Sequence, residues 1–149
     1  MVFLDPNIRP EIIESGPGEY SFRQHLDYFC RNSDVVKCSE DDLSWWFPHL
    51  SGEAAAIEIL EMGVDLVVLT RGPKGASAFF DEVIINCNSK RFAEGSQVGA
   101  GDAFFGSLIS CLVSVGKEKL QSSTNLKKCL SKANKTAAEW ISSGAIVID

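Results

Sequence analysis

The sequence predicts an α/β fold in which a mostly parallel sheet carries helices on both faces. Three observations point there. Strand-like and helix-like stretches alternate along the 149 residues instead of segregating. Leu66-Val67-Val68-Leu69-Thr70 is a nearly unbroken apolar run, the type buried on both faces of a parallel sheet. Residues 76–80 and 83–87 are separated only by Asp81-Glu82, which reads as a short antiparallel pair.

The elements follow in order. Residues 2–4 form a short apolar strand stopped by the turn chemistry of Asp5-Pro6-Asn7. After the loop Ser15-Gly16-Pro17-Gly18, residues 20–31 have helical spacing, with Phe22, Leu26 and Phe29 on one face. Residues 35–38 are a second strand. Ser39 then has the character of an N-cap, with Asp42 three residues on, and Pro48 closes that helix. Ser51 opens another helix through Ile57, Leu60 and Glu61, stopped by Gly63. Arg71-Gly72-Pro73-Lys74-Gly75 is a loop between strands. Residues 102–115 are apolar nearly all round, so a buried helix is expected. Residues 125–143 are amphipathic and closed by Gly144, and residues 145–148 read as a last strand. The chain starts directly on a strand, which leaves one sheet edge unprotected and gives it the character of a second half.

Composition excludes several classes of function. The length suits one compact domain with a sizeable core. A net charge of −6 argues against a nucleic-acid partner, which calls for a basic face. The longest uncharged stretch, residues 103–116, falls short of the roughly 20 residues of a membrane span. Met1-Val2-Phe3-Leu4 meets Asp5 at once, so no signal-peptide core is present. Cys30, Cys38, Cys87, Cys111 and Cys129 are odd in number and scattered, with no C-x-x-C pair. They read as reduced thiols of a cytoplasmic protein. Asn134-Lys135-Thr136 matches a glycosylation acceptor, by coincidence in mid-helix.

The chemistry-bearing stretch is Gly99-Ala100-Gly101-Asp102. A small-residue turn opening a helix is a generic anion site, because the first helical N–H groups lack partners and the dipole favours negative charge there. A Walker A loop would continue Gly-Lys-Ser/Thr, but Asp102 follows Gly101. A dinucleotide fingerprint would place a third glycine where Phe104 stands. An ionised carboxylate beside an anion hole suits phosphoryl transfer to an alcohol: amides hold the migrating group while the carboxylate accepts the hydroxyl proton. The alternative is a tight turn with an acidic helix start, and the composition of the stretch leaves both open.

Val98-Gly99-Ala100-Gly101-Asp102-Ala103-Phe104-Phe105-Gly106 resembles the second signature of the ribokinase-like (PfkB) carbohydrate kinases. The likeness extends along the chain. Asp5-Pro6-Asn7-Ile8-Arg9-Pro10 resembles the family's mid-chain strand end. Residues 36–43 resemble the variant of fructokinase-like members, residues 68–76 the nucleotide-phosphate loop, and Ala133-Asn134 with Ser143-Gly144-Ala145 the adenine-side helix and its end. The resemblance implies the C-terminal half of a ribokinase-like fold, without the N-terminal half and its sugar lid. It implies ATP-dependent, Mg²⁺-assisted phosphorylation of a sugar.

Residue by residue, the resemblance makes Asp102 the catalytic base and Gly99, Ala100 and Gly101 the anion hole. Asn7 and Arg9 become sugar contacts, and Thr70, Gly72 and Asn134 nucleotide contacts. Asp42, with Ser39, organises Mg²⁺ and phosphate through water. Without it, Asn7, Arg9, Lys74 and Asn134 read as ordinary turn or surface residues, Ser39 and Asp42 as a capping box. Trp45 and Trp46 read as packing, His25 and His49 as surface or structural. Where the family has Asp-Thr, this chain has Ser96 and Gln97. The family's aspartate helps to hold a monovalent cation that orders the turn, so the resemblance does not carry that ion onto this chain. Two other readings stand beside a fructokinase-like enzyme: a 2-keto-3-deoxy sugar acid kinase, for which Arg9 would meet a carboxylate, and a non-catalytic nucleotide-binding or dimerising fragment. The partners expected are ATP and a small sugar, with no nucleic acid or membrane, and self-association or a complementary N-terminal half at the open edge.

Overall fold

The computed structural model describes residues 1–16, 18–89 and 97–143. Its strands are β1 (Phe3–Leu4), β2 (Val35–Ser39), β3 (Leu66–Thr70), β4 (Ala76–Phe80) and β5 (Val83–Cys87). They form one sheet in the order β1-β2-β3-β4-β5. Its helices are α1 (Pro10–Ser15), α2 (Glu19–Arg31), α3 (Glu40–Trp46), α4 (Gly52–Glu61), α5 (Ala100–Val115) and α6 (Ser123–Ser143). The α/β class with a sheet flanked by helices agrees with the reading from sequence, and β3, β4 and β5 fall on the residues expected. The expected strand at 145–148, the stop at Gly144 and Pro17 of the first loop lie outside the described residues.

The chain divides into two compact units, Met1–Thr70 with Phe79–Val83, and Arg71–Ala78 with Ile84–Asp149. In the first, β1 pairs parallel with β2, and β2 with β3 in the register Val35↔Leu66 to Ser39↔Thr70. Parallel pairing needs crossovers, which α1 with α2 and α3 with α4 supply. The strand interiors are buried (Val35, Val36, Cys38, Leu66, Val67, Leu69), and the helices meet them through Leu26, Leu43, Ala55 and Ile59. The α2 face differs from the expected one: Leu26 and Cys30 are buried while Phe29 is 55 % exposed, edge-on to Tyr28. The stripe runs 22-26-30, four residues apart, and Phe29 falls beside it. The sequence reading passed over α1, although Pro10 at its first turn and Glu11 beside it are N-terminal signals.

In the second unit α5 packs along α6, and Leu108 and Leu112 of α5 and Leu126, Leu130 and Ala133 of α6 are all buried. α5 is not buried all round, as its apolar run suggested. Phe104, Leu108 and Leu112 face inward, while Val113 is 56 % exposed. Gly106, Ser110 and Ser114 mark the outer face. A second correction concerns the cysteines. Cys111 of α5 and Cys129 of α6 form a disulfide with Cα atoms 5.5 Å apart, so not all five are reduced thiols. Helix packing brings them together across 18 residues of chain, a pairing that spacing cannot reveal. Cys30 and Cys38 are free and buried. Burial pushes the Cys30 thiol up to about 12, and that of Cys38 well above its usual range, which makes both inert packing groups. Among the described residues no helix is long and apolar enough to cross a membrane.

Candidate functional site

The first unit gathers its polar groups at the carboxyl ends of parallel strands, where open α/β sheets place ligands. β1 runs out through Asp5 into the turn Asn7-Ile8-Arg9. Asn7 has φ 41°, in the left-handed region that asparagine tolerates better than most residues, and its N–H donates to Asp5 Oδ1 at 3.3 Å. Arg9 caps α1 and donates through Nη1 to the Ile8 carbonyl at 3.2 Å. Both side chains belong to exposed residues.

Asp42 ties this turn to β2 and α3. It forms the expected capping box with Ser39, whose Oγ accepts from the Asp42 N–H at 3.1 Å while Asp42 Oδ2 accepts from the Ser39 N–H at 2.7 Å. The same Oδ2 accepts from Ser39 Oγ at 2.6 Å. The other oxygen, Oδ1, accepts from the N–H of Ile8 at 2.8 Å, across 34 residues of chain. Asp42 is therefore a buried clamp on the turn that carries Asn7 and Arg9. Its oxygens already meet three donors, so it does not fit as a direct metal ligand. Among the described residues no group of three or more His, Cys, Asp or Glu could hold a metal ion.

Sequence reasoning missed two further members, the paired Lys37 and Asp5. Lys37, in a strand otherwise apolar, points its Nζ to Asp5 Oδ2 at 2.9 Å, with the two side chains 7 % and 13 % exposed. Burial raises the Asp5 pKa above its ordinary 3.8, and the Lys37 ammonium offsets part of that rise. A lysine inside an apolar run of sheet strand was the available signal. Thr70, at the end of β3, is spent locally: its Oγ1 donates to the Cys38 carbonyl at 3.3 Å.

In the second unit the loop after β3 turns through a 3₁₀ segment, Gly72–Lys74. Gly72 has φ +50° with open space where a Cβ would stand. Gly75, at φ +97°, leaves no such space: a Cβ would lie 2.2 Å from the Cys87 carbonyl oxygen. Arg71 Nη1 donates to Ser77 Oγ, which donates to Asn86 Oδ1. Asn134 is buried rather than a surface residue, and its Nδ2 donates to the Cys87 carbonyl at 3.0 Å. Burial also removes it as a glycosylation acceptor.

The glycine turn opens α5 two residues before Asp102. Gly99 is the N-cap, at φ +79°, and its carbonyl accepts from the Ala103 N–H at 2.9 Å. The Ala100 N–H closes the turn onto the Gln97 carbonyl at 3.1 Å. Helix geometry leaves the Gly101 and Asp102 amides without an intrahelical acceptor, pointing off the helix end. Asp102 and Gly101 are exposed. Behind the turn stands Trp140 of α6, whose Nε1–H donates to the Val98 carbonyl at 2.8 Å. Ser96 lies outside the described residues.

A family model described as pfkB family carbohydrate kinase matches residues 2–147. A fructokinase of Rhizobium leguminosarum bv. trifolii is 35 % identical over 112 residues, which cover 75 % of this chain and 33 % of that protein. A fructokinase of Vibrio cholerae O395, solved with fructose, ADP and calcium ion, superposes with a TM-score of 0.81 at 26 % identity, over 94 % of this chain and 44 % of that one. A double mutant of the same enzyme, solved with fructose, ADP and potassium ion, gives 0.81 at 27 % identity, over 93 % and 43 %. The chain thus spans about a third of the length of the curated relative.

Proposed function

The chain belongs to the pfkB family of carbohydrate kinases, and from that membership we propose that it carries the phosphoryl-transfer machinery of an ATP-dependent sugar kinase. One observation supports this above the others: a left-handed Gly99 sets two amides at the end of α5 beside the exposed carboxylate of Asp102. The Gly101 and Asp102 amides would hold the migrating phosphoryl group, with Ala100 keeping the turn small. Asp102 would take the proton of the attacking hydroxyl. Binding and deprotonation thus come from adjacent atoms of one turn, which is what a transfer dominated by positioning and charge stabilisation requires.

The other residues divide by ligand. Asn7 and Arg9 would contact the sugar, held in place by the Asp42 clamp on Ile8. Fructose is the acceptor that the fructokinase relatives favour. Thr70 and Gly72 would meet the nucleotide phosphates, where the open space over Gly72 lets backbone approach closely. Asn134 would act on the adenine side by fixing the end of β5 at Cys87. Mg²⁺, brought in on the nucleotide, would neutralise phosphate charge, and Asp42 would reach it only through water. Calorimetry on the chain tests the division: ATP binds weakly and fructose alone does not. Fructose binding without any ATP binding would contradict it.

A further inference from the structure

A glycine turn has to be held. Gly99 has no side chain, Ala100 and Gly101 have almost none, and in the family the resemblance gives the task to an aspartate and a monovalent cation. In this chain the aspartate position is Ser96. At the turn itself the Val98 carbonyl accepts the indole N–H of Trp140 at 2.8 Å. The indole also lies flush on the turn. A Cβ added to Gly99 would fall 2.9 Å from Trp140 Nε1 and 3.1 Å from Cε2 and Cζ2. A cation at the Val98 oxygen would meet the hydrogen of a donor and the edge of a ring, both carrying partial positive charge. These residues do not fit the ion.

We propose that Trp140 does the cation's work in this chain: its indole N–H holds the Val98–Asp102 turn, so that anion binding there is independent of monovalent cations. Trp140 is a positioning residue, and the inference rests on the reading of this turn as the phosphate site. The indole is well anchored for the task. α6 is fixed to α5 within the same unit by the Cys111–Cys129 disulfide, by the packing of the two helices along each other, and by Thr136 Oγ1 donating to Ser107 Oγ at 3.1 Å. A carbonyl that accepts a fixed N–H keeps its peptide plane, and with it the direction of the amides that follow. A neutral donor does this without adding a full positive charge, and without an ion that must be recruited from solution.

The test uses the full chain labelled with ¹⁵N-tryptophan. Three indole signals arise, from Trp45, Trp46 and Trp140, and Trp140→Phe identifies the third by its loss. Its N–H is expected to exchange slowly with water and to resonate at the same position in potassium chloride and choline chloride of equal ionic strength. ATP affinity of the unmutated chain is expected to be equal in the two salts. Trp140→Phe keeps a ring against Gly99 but loses the donor, so it should bind ATP roughly three- to tenfold more weakly with an unchanged circular dichroism spectrum. Should that variant not fold, Gly99→Ala serves: its Cβ pushes on the indole, shifting the Trp140 signal and speeding amide exchange over residues 98–102. Tighter ATP binding in potassium than in choline, or a Trp140 signal moved by potassium, overturns the proposal. So does Trp140→Phe binding ATP as tightly as the unmutated chain, or an indole unmoved by Gly99→Ala. An unmutated chain with no ATP affinity in either salt, but with a protected, salt-insensitive indole N–H, overturns the phosphate reading and upholds the hold of Trp140 on the turn.

Discussion

Asp42→Asn is the substitution that most sharply separates a surface cap from a buried clamp. Asparagine keeps the size of aspartate but replaces one acceptor oxygen with an NH₂ group. The two aspartate oxygens accept from the N–H groups of Ile8 and Ser39, at 2.8 and 2.7 Å, and from the Ser39 hydroxyl at 2.6 Å. Whichever way the amide turns, one backbone N–H faces a donor. Asp42 is 4 % and Ile8 6 % exposed, so water does not fill the gap readily. An orphaned buried donor costs about 1–3 kcal/mol, and loss of the charge on the remaining bonds adds about 1 kcal/mol, for a total of about 2–4 kcal/mol. Ser39→Ala removes only the hydroxyl side of the box and should cost about 1 kcal/mol. Urea unfolding of the full chain measures both, and amide exchange at Ile8 reports where the damage falls. A loss below about 0.5 kcal/mol for Asp42→Asn, the range of an ordinary surface substitution, or an Ile8 amide as protected as before, would refute the clamp.

Two further predictions concern charge and covalent structure. Asp5→Asn leaves the Lys37 ammonium beside a neutral amide in place of a carboxylate. Asp5 has a raised pKa in the folded chain, so the native state holds its proton more tightly than the unfolded chain. Its contribution is greatest below the ordinary pKa and is lost as pH rises through the folded value. Acidification from neutral towards pH 4 should therefore raise the urea midpoint of the unmutated chain relative to that of Asp5→Asn, and a relative fall would contradict the shift. Reducing Cys111–Cys129 opens a loop of 18-residue separation and should cost about 3 kcal/mol in the chain-entropy model. A thermal midpoint indifferent to reductant would show that the pair is not closed in solution.

Much of the fold was legible because its signals are local. The apolar run of β3, the two-residue Asp81-Glu82 turn and the Ser39–Asp42 box each sit within a few residues, and each appears as read. The misjudged features depend on what packs against what. Phe29 lies beside the stripe of α2 rather than on it, and the small residues Gly106 and Ser110 show which side of α5 faces out. The candidate site divides the same way. Gly99 to Asp102 announced itself in one tetrapeptide. The Asp42–Ile8 bond spans 34 residues, Asn134–Cys87 spans 47 and Trp140–Val98 spans 42, and no local pattern encodes such pairings. Asn134 shows how far this goes: a polar residue in mid-helix reads as surface until the strand end it holds is known.

The central claim is that Asp102 is the base beside an anion-holding turn, and one comparison tests it most directly. ATP-dependent phosphorylation of fructose is measured in an active assembly of this chain with a complementary N-terminal half, for the unmutated protein and for Asp102→Asn, alongside ATP affinity. Asparagine keeps the size and still suits the first turn of α5, so the fold should survive. Removing the base should lower kcat by about 10²–10⁴-fold. ATP affinity should stay nearly constant, because a neutral side chain beside the bound phosphates removes repulsion and no attraction. Equal kcat for the two proteins would contradict the account and leave Gly99-Ala100-Gly101-Asp102 a tight turn with an acidic helix start.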